Sequence, residues 1–291
     1  MKQEDFDPKV FEDKGDFDLY RLYEEDVLKG FIHVSICKER ANNPKPWVKI
    51  TDKIKNATGS QDGRVWIPLD GNFSTIYGFP LTFFKNYQEE EFFPVLGPIA
   101  ILRTFNHFCP DKYVMKFPND IACKEHRGKT CGLLVRREHG FAMIGPGVNL
   151  ATCPNPNEVR KQGIKPCCMK NHCDGKLPTP EEWSFECYKN MIQILKECDT
   201  PEKVVAVMNE EYNKYENNYN MTINNPNADL KKDGTFWTQK TPNALFKVDH
   251  KGMRYQYFSS YYDPIYFKLE GDPDKEKPYH LKYEYVNADN K

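Results

Sequence analysis

Three short segments between Lys116 and Leu150 limit what this chain can become. Lys116-Phe117-Pro118-Asn119-Asp120 comes first, then Gly128-Lys129-Thr130-Cys131-Gly132-Leu133-Leu134-Val135, then Ile144-Gly145-Pro146-Gly147-Val148-Asn149-Leu150. Taken singly they are bland: Pro-Asn-Asp is a common turn, Gly-Pro-Gly a common loop, and a lone lysine is normally solvated. Taken in order they set lysines, a carboxylate, two asparagines and several glycines among β-prone runs. Gly132 to Val135 and Phe141 to Ile144 are two such runs, joined around His139-Gly140, and a hairpin is the simplest reading.

In this order and spacing the stretch resembles the biotin-protein ligases, whose signature reads Lys-Trp-Pro-Asn-Asp, then Lys-x-x-Gly-x-Leu, then Gly-x-Gly-x-Asn. The wider family includes the lipoate ligases. The resemblance implies an α+β fold: a mixed β-sheet flanked by helices, similar to the biotin-protein ligase catalytic domain and the class II aminoacyl-tRNA synthetases. It also implies ATP, magnesium and biotin as ligands and a carrier-protein lysine as acceptor. Residue chemistry agrees. Activating a carboxylic acid with ATP needs cations that hold it against the α-phosphate, a carboxylate that organises magnesium or a lysine, and glycines that bare the backbone beside the nucleotide. By resemblance, the catalytic residues are Lys129, Asp120 and Lys116. Lys129 would neutralise charge developing at the acyl-phosphate, Asp120 would orient it and the metal, and Asn119 and Asn149 would contact the nucleotide beside Gly132, Gly145 and Gly147.

The ligand loop departs from the family. Biotin-protein ligases carry Gly-Arg-Gly-Arg-Arg-Gly-x-x-Trp upstream, and the corresponding stretch here runs Thr58-Gly59-Ser60-Gln61-Asp62-Gly63-Arg64-Val65-Trp66. Gly63, Arg64 and Trp66 match, the last as a candidate to stack on adenine, while Gly59, Gln61 and Asp62 replace the earlier arginines. Each lost charge-assisted contact costs roughly 1.5–3 kcal/mol, and Asp62 sets a negative charge where an anionic adenylate would sit. The usual Ser-Thr-Asn segment is not recognisable in residues 16 to 40. Two further readings follow. A catalytically retired relative would serve as an accessory subunit of a larger, mitochondrial assembly, with no cofactor. A cysteine-dependent octanoyl transferase would use Lys129 and Cys167, near His139-Gly140, without ATP.

Around this centre, residues 1–30 read as an acidic, aromatic extension, 31–215 as the ligase-like domain and 216–291 as a β-rich appendage. Phe31 to Ile36, Trp47 to Ile50 and Tyr77 to Phe84 are β-prone. Pro98 opens a helix carrying Ile99, Leu102, Phe105 and Phe108 inward, ending before Pro110. Thr179-Pro180-Glu181-Glu182 forms a capping box ahead of a stripe of Trp183, Tyr188, Met191, Ile192 and Leu195. Thr200-Pro201 opens a further helix through Val204, Val207, Met208 and Tyr212. Residues 151–180 form a long Cys-rich insertion. Cys153, Cys167, Cys168, His172 and Cys173 supply soft ligands enough for zinc, but their spacing matches no standard module, so unligated thiols are expected.

Composition removes other classes. The balance of 41 Lys+Arg against 42 Asp+Glu leaves no basic footprint for nucleic acid or an anionic membrane. No apolar run reaches membrane-spanning length. The start MKQEDFDPK is acidic where a presequence would be basic or apolar. Ten cysteines without a signal peptide suit a reducing compartment, mitochondrial matrix or cytoplasm, better than a disulfide framework.

Overall fold

The computed structural model describes residues 2–57, 66–84, 87–116, 120–125, 128–155 and 166–199, residues 203 and 207, and short strand segments between 220 and 284. For 87–95, 116 and the segments beyond 207 the description is of backbone alone.

Eight strands make one mixed sheet: β1 (Glu12–Asp13), β2 (Asp18–Asp26), β3 (Trp47–Lys55), β4 (Phe73–Pro80), β5 (Tyr113–Lys116), β6 (Asp120–Cys123), β7 (Lys129–Glu138) and β8 (Phe141–Val148). Their order is β1-β2-β3-β4-β8-β7-β6-β5. Only β2 and β3 run parallel, and the crossover between them is helix α1 (Ile32–Arg40); every other pair is antiparallel. The sheet flanked by helices is thus the expected α+β architecture.

Strand alternation divides the core. On one face Val48, Ile50, Tyr77, Ile144 and Leu133 pack under helices α2 (Tyr87–Phe108) and α3 (Pro180–Glu197), which contribute Ile99, Leu102, Phe105, Trp183, Tyr188 and Met191. On the other, Trp47, Tyr20, Phe141 and Met143 pack under Ile32, Ile36 and Cys37 of α1. Among the described residues the larger core lies on the first face and the smaller on the second, and the second face holds the candidate site.

Several local expectations meet the structure directly. His139 (φ 44°) and Gly140 (φ 82°) make a two-residue β7–β8 turn with both residues in the left-handed region, the hairpin geometry that suits strand twist. Thr179 and Glu182 form the reciprocal capping box, Glu182 N donating to Thr179 Oγ1 at 3.1 Å and Thr179 N to Glu182 Oε2 at 2.7 Å.

Other expectations need correction. Phe31 to Ile36 is not a strand: Ile32–Arg40 is helical, because Ile32, Ile36 and Arg40 at four-residue spacing bury one stripe, and packing overrides the β-branched composition. Helix α2 begins at Tyr87 and runs through Pro98. An interior proline costs about 3 kcal/mol, offset here by close packing: a Cβ on Gly97 would come within 2.1 Å of Ile144 Cδ1, so glycine lets the helix settle onto β8. Within the segment read as a surface extension, Asp18–Asp26 forms β2, with Leu19, Tyr20 and Leu22 buried. Its alternation is hidden by acidic residues at both ends. The helix expected from Thr200 lies outside the described residues except at 203 and 207. Beyond it, Asn220–Ile223 pairs with Leu281–Glu284, and Tyr255–Phe258 with Tyr266–Leu269, both antiparallel. No helix among the described residues is long and apolar enough to cross a membrane.

Candidate functional site

The site grows from a row of small residues crossing four adjacent strands. Register places Thr51 opposite Ser74, Ser74 opposite Gly147, and Gly147 opposite Gly132. All four stand on the α1 side of the sheet, where longer side chains elsewhere fill the face. The row is a trough in side-chain height, backbone alone at β8 and β7, and it is covered: Thr51 and Gly147 are buried, Ser74 and Gly132 part-buried.

At the β7 end stands an ion pair. Lys129 Nζ lies 2.7 Å from Asp120 Oδ1, the carboxylate nearly buried and the lysine about a third exposed (8% and 36%). Both hang over Gly132: a Cβ there would meet Lys129 Nζ at 2.7 Å and Asp120 Oδ1 at 3.3 Å. Position 132 must be glycine for this pair to sit where it does. At the β8 end, a Cβ on Gly147 would strike the Trp66 ring at 2.7 Å. The indole therefore rests on the Gly147 backbone, and Trp66 N donates to Ala57 O at 2.9 Å. A cation, its partner carboxylate and an aromatic ring thus cover the two glycines of one strip, Gly147 buried and Gly132 part-buried beneath them, a composition suited to a flat or acyl ligand with an anionic group.

Asn149 sits beside this strip and ties together the backbone around it. Its Nδ2 donates to Cys167 O at 3.1 Å and Lys129 O at 3.4 Å, and its backbone N donates to Thr130 O at 2.9 Å. The side chain thereby holds the strand carrying Lys129 against the returning Cys-rich segment. Gly145 makes only ordinary contacts, its would-be Cβ 3.5 Å from Ile76 Cγ1. Lys116 is opposite Asp120 in the β5–β6 register. Its side chain, Asn119, Gly63 and Arg64 lie outside the described residues.

Three features escaped sequence reading. Asn72 Oδ1 accepts from the backbone N of Leu150, Ala151 and Thr152 at 2.9, 3.2 and 3.1 Å, while Nδ2 donates to Thr152 O at 2.8 Å, so one side chain fixes the exit of β8. An Asn after Gly is a familiar turn signal, but no local pattern discloses a partner 77 or more residues away. Glu25 and Lys49 form an ion pair buried under α1, and Glu25 Oε1 also accepts from Ile32 N at 3.1 Å. Cys109 and Cys173 are paired as a disulfide, Cα–Cα 5.3 Å, which takes Cys173 out of the set of possible zinc ligands. The remaining Cys167 thiol is 3% exposed, and hydrogen bonding to Cys123 together with burial pushes its pKa up. That is the reverse of what activates a cysteine nucleophile.

No family model matches the sequence. Among solved structures the chain is similar to the biotin protein ligase of Leishmania major in complex with biotinyl-5-AMP (TM-score 0.55, 14% identity, 93% of this chain and 98% of that one). It is also similar to the biotin protein ligase of Aquifex aeolicus in complex with biotin and ATP (TM-score 0.51, 15% identity, 91% and 99%). At such identities the likeness establishes the fold, that of the biotin-protein ligase catalytic domain.

Proposed function

We propose that the chain activates biotin, or a closely related carboxylic acid, with ATP and magnesium to an acyl-adenylate, and passes the acyl group to a lysine of a carrier protein. The observation that carries this reading is the Lys129–Asp120 pair standing over Gly132, half accessible, at the end of the Thr51–Ser74–Gly147–Gly132 row. Lys129 is placed to draw carboxylate and α-phosphate together and to neutralise charge as the mixed anhydride forms and pyrophosphate leaves. Asp120 holds the ammonium in place and can share a magnesium ion. Gly132 and Gly147 let Lys129 and the Trp66 ring approach the backbone of β7 and β8 closely, and Trp66 provides an aromatic wall. The Leishmania and Aquifex proteins of the same fold hold biotinyl-5-AMP, and biotin with ATP, respectively.

A second reading rests on Gln61 and Asp62, which stand where the family's anion-binding arginines would be. It makes the chain a retired relative that serves as an accessory subunit. One experiment separates the two. Purified protein given biotin or lipoate with ATP and magnesium should release pyrophosphate, and Lys129→Ala should stop it. No pyrophosphate, with no ligand raising the melting temperature at saturation, leaves the retired reading, because binding to the native state must stabilise it.

A further inference from the structure

Away from the trough, one cluster of soft ligands is gathered from three separate stretches of chain. Cys123 lies at the end of β6, Cys167 on the segment that returns from the Cys-rich insertion, and His172 just past a short 3-10 turn, Met169–Asn171. Their ligating atoms all lie within 4.8 Å of one another, and Cys167 Sγ is 3.0 Å from His172 Nε2. All three residues are buried, with exposures of 0%, 3% and 6%. The other ring nitrogen, His172 Nδ1, is 3.7 Å from Glu125 Oε2.

We infer that Cys123, Cys167 and His172 bind a zinc ion. Donors around a tetrahedral zinc stand about 3.5–3.8 Å apart given ordinary Zn–S and Zn–N lengths, so the three atoms need only small side-chain adjustments. Two thiolates and an imidazole are the donor set zinc prefers. Binding displaces two thiol protons to solvent, and two thiolates then neutralise the divalent ion, so the buried centre carries no net charge. Glu125 Oε2, 3.7 Å from Nδ1, lies just beyond hydrogen-bond distance, and a small movement of this exposed side chain would let it orient the metal-bound histidine. Among the described residues the cluster supplies three donors, and a structural zinc site takes four.

The cluster's position gives the ion a structural task. Cys123 closes the strand that begins with Asp120, and Cys167 N donates to Lys129 O at 2.8 Å beside the Lys129–Pro166 bridge. Zinc would therefore tie the returning segment to the two strands that carry the ion pair. A cysteine–histidine nucleophile is the competing reading of the same atoms. Deep burial of the thiol speaks against it, since a nucleophile must meet its substrate.

Full-length protein purified under reducing conditions without chelator should contain one zinc per chain. Cys123→Ser/Cys167→Ser should contain background metal only, while Cys37→Ala keeps its zinc. Metal-free wild-type protein, made by chelation, should take up one cobalt(II) with a thiolate charge-transfer band, and zinc should displace it and raise the melting temperature. The cobalt titration decides the matter even where the serine variant does not fold. A wild-type chain that takes up neither metal stoichiometrically overturns the proposal, as does a folded double variant that keeps its zinc. Rapid single-site alkylation of Cys167 by iodoacetamide, unchanged by added zinc, overturns it in favour of the nucleophile.

Discussion

Gly132 and Gly147 face each other across the β7–β8 ladder, and each missing side chain marks the place of another residue: the Lys129 ammonium over one, the Trp66 ring over the other. The two substitutions should differ in kind. Gly147→Ala drives a methyl to 2.7 Å from a bulky indole, so stability should fall by about 1–3 kcal/mol in a denaturant titration. Gly132→Ala meets the flexible end of Lys129 and should change the midpoint little. It shifts the ion pair, however, and misplacement on this scale should cost about 100-fold in the adenylation rate. A Gly132→Ala protein with full activity would detach the pair from the chemistry.

Lys129 itself should separate activity from stability. Its ammonium is about a third exposed, so solvent screens its share of the pair, while Asp120 is only 8% exposed. Because water reaches the site on the lysine side, the stability loss should stay below that of a fully buried pair. Lys129→Ala should lower pyrophosphate release by about 100- to 1000-fold, the usual cost of removing a group that stabilises developing charge, with a much smaller change in melting temperature than Lys49→Met produces. Lys129→Arg keeps the charge and should recover part of the loss. A large drop in melting temperature instead would assign the lysine to structure.

Asn72 is expected to behave in the opposite way. Asn72→Ala removes the side-chain acceptor of the Leu150 and Thr152 N–H groups, leaving Ala151 N its bond to Gly71 O at 3.3 Å, and should cost about 2–3 kcal/mol in urea unfolding, allowing for partial access of water. Asn72→Asp retains the acceptor for those three donors and should lose less. Equal losses in both variants would mean that the Nδ2 bond to Thr152 O, not the triple acceptor, fixes this corner.

What the sequence disclosed and what it hid follow one physical rule. The β7–β8 hairpin, the capping box at Thr179 and the pairing of Lys129 with its site were legible because turn chemistry and motif spacing are local. The start of α2 and the helical state of Ile32–Arg40 were not, since both depend on what the helix packs against: Ile144 under Gly97 in one case, Tyr20 and Trp47 in the other. Cys123 escaped notice as a ligand for the same reason. It stands 44 residues before Cys167 in the chain and meets it only through the fold.

The Glu25–Lys49 pair offers a test of buried charge. Lys49→Met leaves the carboxylate without its cation under α1, and loss of one partner of a buried pair typically costs about 3–5 kcal/mol. Glu25→Gln in the same chain removes the stranded charge and still accepts from Ile32 N. The double variant should recover most of the lost stability. If it is no better than Lys49→Met alone, the pair is needed for the shape of the β2–α1 junction and not for charge balance.

His33 should make stability depend on pH. Burial, reinforced by the positive Lys49 and Arg136, holds its pKa down to about 3 against an ordinary 6.5, and neither ring nitrogen has a hydrogen-bond partner among the described residues. The folded state therefore keeps a neutral ring where the unfolded chain takes up a proton. Its contribution is intact above pH 6.5 and is lost as the pH falls toward 3, by at most about 1.4 kcal/mol per pH unit. His33→Phe removes the proton-binding group, so urea midpoints at pH 7 and pH 5 should lie closer together in the variant than in the parent chain. Parallel slopes in the two proteins would show that His33 titrates normally, which requires α1 to open at mildly acid pH and expose the ring to water.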